Sequence, residues 1–305
     1  MLAFIARRAG LAVLVIITVL TLAFMLTRLG GDLAISIAGP NATQQDVETI
    51  RQAYGLDRPL VVQFFDWVAR AATGDFGQSY FFRARVSDLI VERLPVTLTL
   101  GCVGLTIALC VAIPLGTLAA VYENRVADRA IMVLALFGQA MPSFWLGLIM
   151  MVVFGLYLDW LPISGTGSWQ HFVMPGIVLA FSAIPAIMRL TRAGMIDALA
   201  SDYIRTARSK GISGAAIVIR HALRNAAMPV VAISAVQLGF MLGGSVVIET
   251  VFALHGVGYL AWESISKNDF PTVQAVVLLL AVIFTVLTLV ADLLNAALDP
   301  RLRKQ

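Results

Sequence analysis

Charge is scarce in this 305-residue sequence: Asp, Glu, Lys and Arg make up 13% of it, where a soluble domain carries about 25%. Apolar residues reach 59%, against about 45–50% in soluble proteins. A chain with so few ionisable groups cannot cover a water-facing surface, which excludes an ordinary soluble domain. Cysteine is nearly absent. Cys102 and Cys110 share one apolar run, eight residues and so about 12 Å apart along a helix, too far for a disulfide, whose Cα atoms lie within about 7 Å. The only histidines, His171, His221 and His255, fall in three separate loops and form no metal-ligand set. No G-x-x-x-x-G-K-[ST], H-E-x-x-H or G-x-S-x-G occurs, so the chain carries no P-loop, zinc-protease helix or nucleophile elbow of its own. The lone G-x-G at Gly256 and Gly258 reads as a turn. A net charge of +4, dispersed over short loops, excludes a nucleic-acid-binding face.

What the sequence has is long apolar runs. Six are candidate membrane spans: Ala9 to Leu26, Val96 to Val121, Ala130 to Leu158, Phe172 to Met188 (extended to Arg192), Ala226 to Ile248 and Thr272 to Ala291. Before that extension none contains Asp, Glu, Lys or Arg, and most reach the roughly 20 residues needed to cross an apolar layer of about 30 Å. Arg7 and Arg8 precede the first run, which is too long for a signal-peptide core and lacks a close cleavage site, so it reads as an uncleaved span. The Lys and Arg residues near span ends divide thirteen to eight in favour of the side carrying the N-terminus. The positive-inside rule then puts both termini in the cytoplasm. Residues 30–95 form the one sizeable segment outside, with helices over Thr43 to Tyr54 and Leu60 to Ala72, the latter showing Val61, Phe64, Phe65 and Val68 on one face. That segment reads equally as a cap on the membrane or a docking surface for an external protein. Pro114, Pro142, Pro175, Pro185 and Pro229 interrupt or bound spans. Arg189 and Asp292 lie at span edges, placed to snorkel to the interface or to pair with each other or a neighbouring subunit.

One long polar interruption between spans is basic. From Ile196 the residues Ile196, Leu199, Ala200, Tyr203, Ile204 and Ala207 repeat at helical spacing, opposite Asp197, Asp202, Arg205, Arg208 and Ser209, which predicts one amphipathic helix. Gly211 permits a turn at positive φ, Ser213 is placed to cap a second helix, and Ile219, Ala222 and Leu223 give it an apolar side opposite Arg220 and Arg224.

This stretch, D-Y-I-R-T-A-R-S-K-G at Asp202 to Gly211 closing on L-R-N-A-A-M-P at Leu223 to Pro229, resembles the "EAA" loop of bacterial ABC-importer permeases, in the wording of the dipeptide/oligopeptide/nickel branch. Where the family at large has Glu-Ala-Ala, here stand Arg205, Thr206 and Ala207. The G-L-D-R-P-L run from Gly55, G-D-F-G-Q-S from Gly74, M-P-S-F-W-L-G from Met141 and A-L-D-P-R from Ala297 are similar to the same branch, so the likeness is nearly end to end. It implies an all-α membrane protein with six transmembrane helices and type I ABC-importer permease architecture. The first helix would occupy 1–29, the outer segment 30–95, the core 96–298 with a coupling loop at 193–225, and a cytoplasmic tail 299–305. The implied function is the permease subunit of an ATP-driven importer of peptides, glutathione or nickel complexes in the bacterial inner membrane, working by alternating access. Implied partners are a homologous second permease, two ATPase subunits holding ATP and Mg, and an extracytoplasmic substrate-binding protein. This chain would itself be no enzyme and hold no cofactor. The implied ATPase-coupling residues are Tyr203, Ile204, Arg205, Thr206, Ala207, Lys210, Gly211, Arg220, Arg224 and Pro229. An ion-coupled secondary transporter is the rival reading; it predicts mid-membrane charges and an internal repeat, and the sequence shows neither.

Overall fold

A computed structural model describes residues 2–29, 32–39 and 42–298, and the tail at 299–305 lies outside the described residues. The fold is helical throughout, with one isolated antiparallel bridge, Gln78 to Arg85, among the described residues. Helix α1 (Leu2–Leu29) is followed by three short helices, α2 (Leu33–Ala38), α3 (Gln44–Ala53) and α4 (Leu60–Ala72). Then come α5 (Val86–Val121), α6 (Val126–Ala140), α7 (Ser143–Met150), α8 (Val173–Leu199), α9 (Asp202–Ser209), α10 (Gly214–Ala216), α11 (Leu223–Val251), α12 (Val257–Ser266) and α13 (Phe270–Leu298). A π-helical turn, Ile217–Ala222, joins α10 to α11 without a break, giving one apolar rod from Gly214 to Val251.

Among the described residues five stretches are long and apolar enough to cross a membrane: Ile5–Arg28, Val86–Val121, Trp169–Leu199, Gly214–Val251 and Phe270–Ala296. The expected third span, Ala130 to Leu158, is not one straight helix. It breaks at Met141 and Pro142, and its halves meet at 96°; counted as one broken crossing it makes the sixth. The cause is local: Pro142 disfavours the helical conformation at the residue before it, and Met141 is extended (φ −79°, ψ 129°). Pro95, Pro114, Pro185 and Pro229 are instead carried inside helices. The second stretch begins at Val86, ten residues before its apolar run, and Asp88, Glu92 and Arg93 lie in the first turns of the same helix. The expected short helix before the fifth span is continuous with it.

The bundle closes through small residues. A Cβ on Gly116 of α5 would stand 2.6 Å from the Met188 carbonyl oxygen of α8, and one on Gly176 of α8 would stand 2.7 Å from Val103 of α5. Ala108, Ala112, Ala180 and Ala183 are buried in the same core cluster, so the two backbones pack closely, as membrane helices do where small residues face each other. Helices α1 and α13 run antiparallel and are fastened at both ends. Arg8 pairs with Asp292 at 2.8 Å, and Gln274 Nε2 donates to Thr27 Oγ1 at 2.6 Å. Asp292 therefore pairs with Arg8 and not with Arg189, which is exposed.

At the end of the bundle opposite α9, α3 is capped by a Thr43 and Asp46 capping box, and α4 rests on α1 through Phe64 and Trp67 against Phe24. The α4 face is not the one the spacing suggests: Val61 and Phe65 are exposed, while Gln63 is buried and Phe64 half-buried, because the helix is rotated toward α1 about Gln63, Phe64 and Trp67. Buried Asp269, just before α13, accepts from Ser79 Oγ, the Tyr80 N–H and Thr272 Oγ1, tying the segment before α5 to α13.

The least expected feature at this end is Glu249. The fifth apolar run stops one residue before it, which placed it in an outer loop; instead α11 continues to Val251 and the Glu249 side chain is wholly enclosed. Its Oε1 accepts from Thr97 Oγ1 of α5 and Ser245 Oγ, each at 2.8 Å, and its Oε2 accepts from the Tyr259 N–H at 2.8 Å. The Val257 N–H donates to Thr97 Oγ1 at 2.8 Å. The carboxylate thus sits against the first turn of α12, where unpaired N–H groups favour an anion. Gly256 and Gly258 make this approach possible, since a Cβ on Gly256 would lie 2.5 Å from Glu249 Oε2 and one on Gly258 2.8 Å from the Val246 Cα. Glu249→Ala leaves the Thr97 hydroxyl and the Tyr259 N–H without their buried acceptor, the Ser245 hydroxyl keeping the Leu242 carbonyl at 2.9 Å, and is expected to cost about 2–3 kcal/mol or more. Glu249→Gln keeps the shape and an acceptor and is expected to cost less. Thermal unfolding of the detergent-solubilised protein checks this, and equal melting of the two variants would contradict it.

Candidate functional site

The basic stretch folds as a short helix laid across the end of the bundle. The single amphipathic helix expected from Ile196 to Ala207 is in fact two. Helix α8 ends at Leu199, the chain turns through Ala200 and Ser201, and α9 starts at Asp202. The apolar period runs through the turn in register, which is why periodicity does not reveal it. Asp202 in the first turn of α9 and Arg208 in the last both complement the helix dipole.

Helix α9 ends in a Schellman motif. The Ile212 N–H donates to the Ala207 carbonyl at 3.3 Å and the Gly211 N–H to the Arg208 carbonyl at 3.0 Å, with Gly211 at φ +77°. Nothing lies within 4 Å of a Cβ built on Gly211, so glycine is required there by the backbone and not by crowding. Ser213 then caps α10, accepting weakly from the Ala216 N–H at 3.4 Å.

Ile204 and Ala207 form the inner face of α9 and are buried in a cluster with Ala120 of α5, Met195 and Ala198 of α8, and Ile217, Ala222 and Ala226 leading into α11. Ala207 is therefore held small by this chain's own packing. Tyr203 is partly exposed, and its hydroxyl accepts from Asn225 Nδ2 at 2.8 Å, a second link from α9 to α11. The outward face carries Arg205, Thr206, Arg208, Ser209 and Lys210, with Gly211 at its end and Arg220 and Arg224 exposed beside it. Arg205 makes a surface pair with Asp202 at 3.2 Å; the face is otherwise cationic. Ile219, expected on an apolar side with Ala222 and Leu223, is exposed, and Ile217 takes its inward place because the π-helical turn shifts the register. Pro229 lies within α11, exposed and outside this cluster.

One further pair completes this end. Arg192 of α8 donates from Nε and Nη2 to the two oxygens of Asp128 in the first turn of α6, both at 2.7 Å, and the Asn124 N–H adds a third bond at 3.0 Å. Asp128 is only 3% exposed. The bidentate geometry fixes α6 to α8. Helix α9 thus rests on the adjoining ends of α5, α8 and α11, and α6 is fixed to the α8 end beside them.

This architecture coincides with a family assignment. The sequence profile for "Binding-protein-dependent transport system inner membrane component" matches residues 112–304, and the profile for the N-terminal part of such components matches 1–101. The chain belongs to this family. The permease is 42% identical over 290 residues to the glutathione transport system permease protein GsiC of Escherichia coli strain K12. The match covers 95% of this chain and 94% of that relative. GsiC of Shigella flexneri serotype 5b matches with the same identity and coverage. Among solved structures, an inward-facing form of the MetNI methionine ABC transporter superposes with a TM-score of 0.53 at 20% identity, covering 71% of this chain and 95% of that chain. That likeness establishes a type I importer permease fold.

Sequence reasoning found the basic helix, its glycine turn and its arginines, but not the contacts that hold them. Asp128 and Arg192 lie 64 positions apart and Tyr203 and Asn225 22 apart, and Arg192 drew notice only as a positive charge near a span end. Gly211→Val places a branched side chain at positive φ and is expected to cost about 1–3 kcal/mol of local stability. Gly211→Asn tolerates that conformation better. Trypsin digestion at Arg208 and Lys210 reports the outcome: faster cutting of Gly211→Val than of wild type and Gly211→Asn is expected, and equal rates would contradict it.

Proposed function

We propose that this permease imports glutathione or small peptides of similar size and polarity, driven by ATP hydrolysis on partner subunits. The observation that carries the substrate class is the 42% identity, spread over 95% of the chain, to a glutathione transport permease. In this reading the α9 end faces the cytoplasm together with both termini, in accord with the excess of basic residues on that side. The outer helices α3 and α4 face the opposite compartment, where a substrate-binding protein delivers its cargo. A second, homologous permease completes the path.

The architecture of α9, buried on one face and basic on the other, supports a coupling step. Two ATPase subunits hold ATP and Mg, and each engages an outward face of the Arg205, Thr206, Arg208 and Lys210 kind. Ile204 and Ala207 serve the contact from beneath, by fixing α9 to the bundle. Gly211 sets the angle at which the chain leaves it. Arg220 and Arg224 extend the cationic surface, while Pro229 acts within the span. When nucleotide draws the ATPases together, α9 is displaced, and the ends of α5, α6, α8 and α11 go with it. An inward-open cavity becomes an outward-open one, a choice between two packings that nucleotide and loaded binding protein bias. The permease supplies no reaction chemistry.

Proteoliposomes containing the assembled transporter test this. ATP-dependent uptake of glutathione or a dipeptide, stimulated by the loaded binding protein, is expected. Ala207→Trp, which overpacks the seat of α9 by about 1–3 kcal/mol, is expected to insert normally but lose stimulation. Uptake driven by an ion gradient without ATP would overturn the reading. Orientation is read from Ser209→Cys, in a background without the exposed Cys102 and Cys110: an impermeant thiol reagent is expected to label it only after permeabilisation.

A further inference from the structure

At the end of the bundle remote from α9, helix α4 leaves one apolar side open. Val61, Phe65 and Ala72 are exposed and Val68 is half-buried, and the four recur at intervals of four, three and four residues along one side of the helix. Val61 and Phe65 are 65% and 64% exposed, and exposed Val62 widens the face. Single apolar residues are scattered over any protein surface, but a contiguous row of them marks a place of interaction. The other sides of α4 are accounted for. Phe64 and Trp67 seat it on α1, with Gln63 buried beside them. Asp66 and Arg70, one turn apart and across the helix from Val61 and Phe65, line a cavity of about 590 Å³ together with Arg28, Tyr54 and Asp75. Asp66 also pairs with Arg58 at 3.4 Å, and both side chains are more than half exposed.

What covers the apolar side follows from the depth at which α4 is seated. Its aromatic contact falls on Phe24, with ring centres 5.4 Å from Phe64 and 6.1 Å from Trp67. Phe24 lies inside the first membrane-length stretch, Ile5–Arg28, four residues and so about 6 Å before its end. The Arg28 guanidinium stands 5.0 Å from the same ring centre. An Arg and a Trp gathered at the end of an apolar helix belong at the border between acyl chains and headgroups. Helix α4 meets α1 over a short stretch around Phe24, whereas α13 runs along α1, so α4 crosses the first span at that border. Helix α1 is itself peripheral: it leans chiefly on α13, and Leu14, Ile17, Leu22 and Leu26 are all half or more exposed. Phe65 packs edge to face on Phe64 at 5.6 Å, which joins the open face of α4 to its seat on this outermost helix.

We propose that α4 is an interfacial helix of the leaflet remote from α9, with the Val61 and Phe65 face set into the border of the acyl chains and Asp66 and Arg70 turned to the aqueous cavity. Helices of this kind sink their apolar face about 5–10 Å into the headgroup and acyl boundary, the level at which Phe24 receives α4. The partner is therefore phospholipid, since a soluble protein approaches from beyond the headgroups. Helix α4 then serves as a cap on the membrane, and docking of an external protein falls to other residues of the segment. Lipid contact of α4 is independent of the cargo and of nucleotide.

Nitroxide labels at Val61→Cys, Phe65→Cys, Asp66→Cys and Arg70→Cys, in the background without Cys102 and Cys110, test this in the assembled transporter in phospholipid nanodiscs. Molecular oxygen concentrates among acyl chains and a neutral nickel chelate stays in water, so the ratio of their collision rates reads the phase around each label. A spin-labelled phospholipid in the same discs sets the lipid value. The oxygen-to-nickel ratio at Val61 and Phe65 is expected to approach that value, to exceed the ratio at Asp66 and Arg70 several-fold, and to stay unchanged when loaded binding protein is added. One site on each face suffices should a variant not assemble. Nickel-favouring ratios on both faces overturn the proposal, because the apolar face then stands in water. So does shielding of Val61 and Phe65 from both reagents: shielding present throughout assigns the face to a neighbouring permease, and shielding that comes only with the binding protein assigns it to that protein.

Discussion

In an apolar layer no water satisfies a stray polar group, and the placement of the few polar side chains in this chain follows from that constraint. Glu249 would be prohibitive inside a span if left alone. It is tolerated because two hydroxyls and a backbone N–H converge on it, and because Gly256 and Gly258 let α12 come close enough to supply that N–H. The requirement to satisfy one carboxylate thereby fixes three elements, α5, α11 and α12, at one end of the bundle. Asp128 and Arg192 do the same at the other end for α6 and α8. Gln274 with Thr27 and Asp292 with Arg8 hold α1 to α13.

Between these polar fastenings the bundle is held by close packing of small residues, which is stiff to bending and sensitive to added volume. A helix laid on such a platform transmits displacement instead of absorbing it. Helix α9 meets that requirement. Its inner face, Ile204 and Ala207, belongs to the same cluster as residues of α5, α8 and α11, and Tyr203 adds a polar tie to Asn225. Its outer face presents Arg205, Arg208 and Lys210 to solvent. One short helix therefore has a buried side that fixes it to the bundle and an exposed basic side, the side that the proposed coupling uses.

Much of this was legible in the sequence. Five of the six apolar runs coincide with the straight membrane-length stretches among the described residues, the third being a bent pair, and the glycine and polar interruption located the turn after α9, because these depend on composition and on single-residue backbone preference. What was not legible depended on distance in space. Charged residues at Asp88, Glu92 and Arg93 ended the apolar run and hid the first turns of α5, although a helix need not stop where the lipid does. Glu249 read as a loop residue since its partner Thr97 lies 152 positions away. The kink at Ser201 kept the helical period in step, and the inward position of Ile217 in place of Ile219 reflects a π-helical turn that no local pattern announces. Ala207 stood out as one position of an apolar period; the wall it meets in this chain is its own bundle, with Ala120, Ala198 and Ile217.

The central claim is that α9 and the adjoining ends of α5, α6, α8 and α11 move as one body. Electron–electron double resonance between spin labels at Ser209, on α9, and Glu123, in the exposed turn between α5 and α6, measures this directly in the assembled transporter. The account predicts the same distance distribution within one chain in the nucleotide-free state and with ATP trapped on a hydrolysis-deficient ATPase. A distribution that shifts between the two states would contradict it, since α9 would then slide on the bundle instead of carrying it.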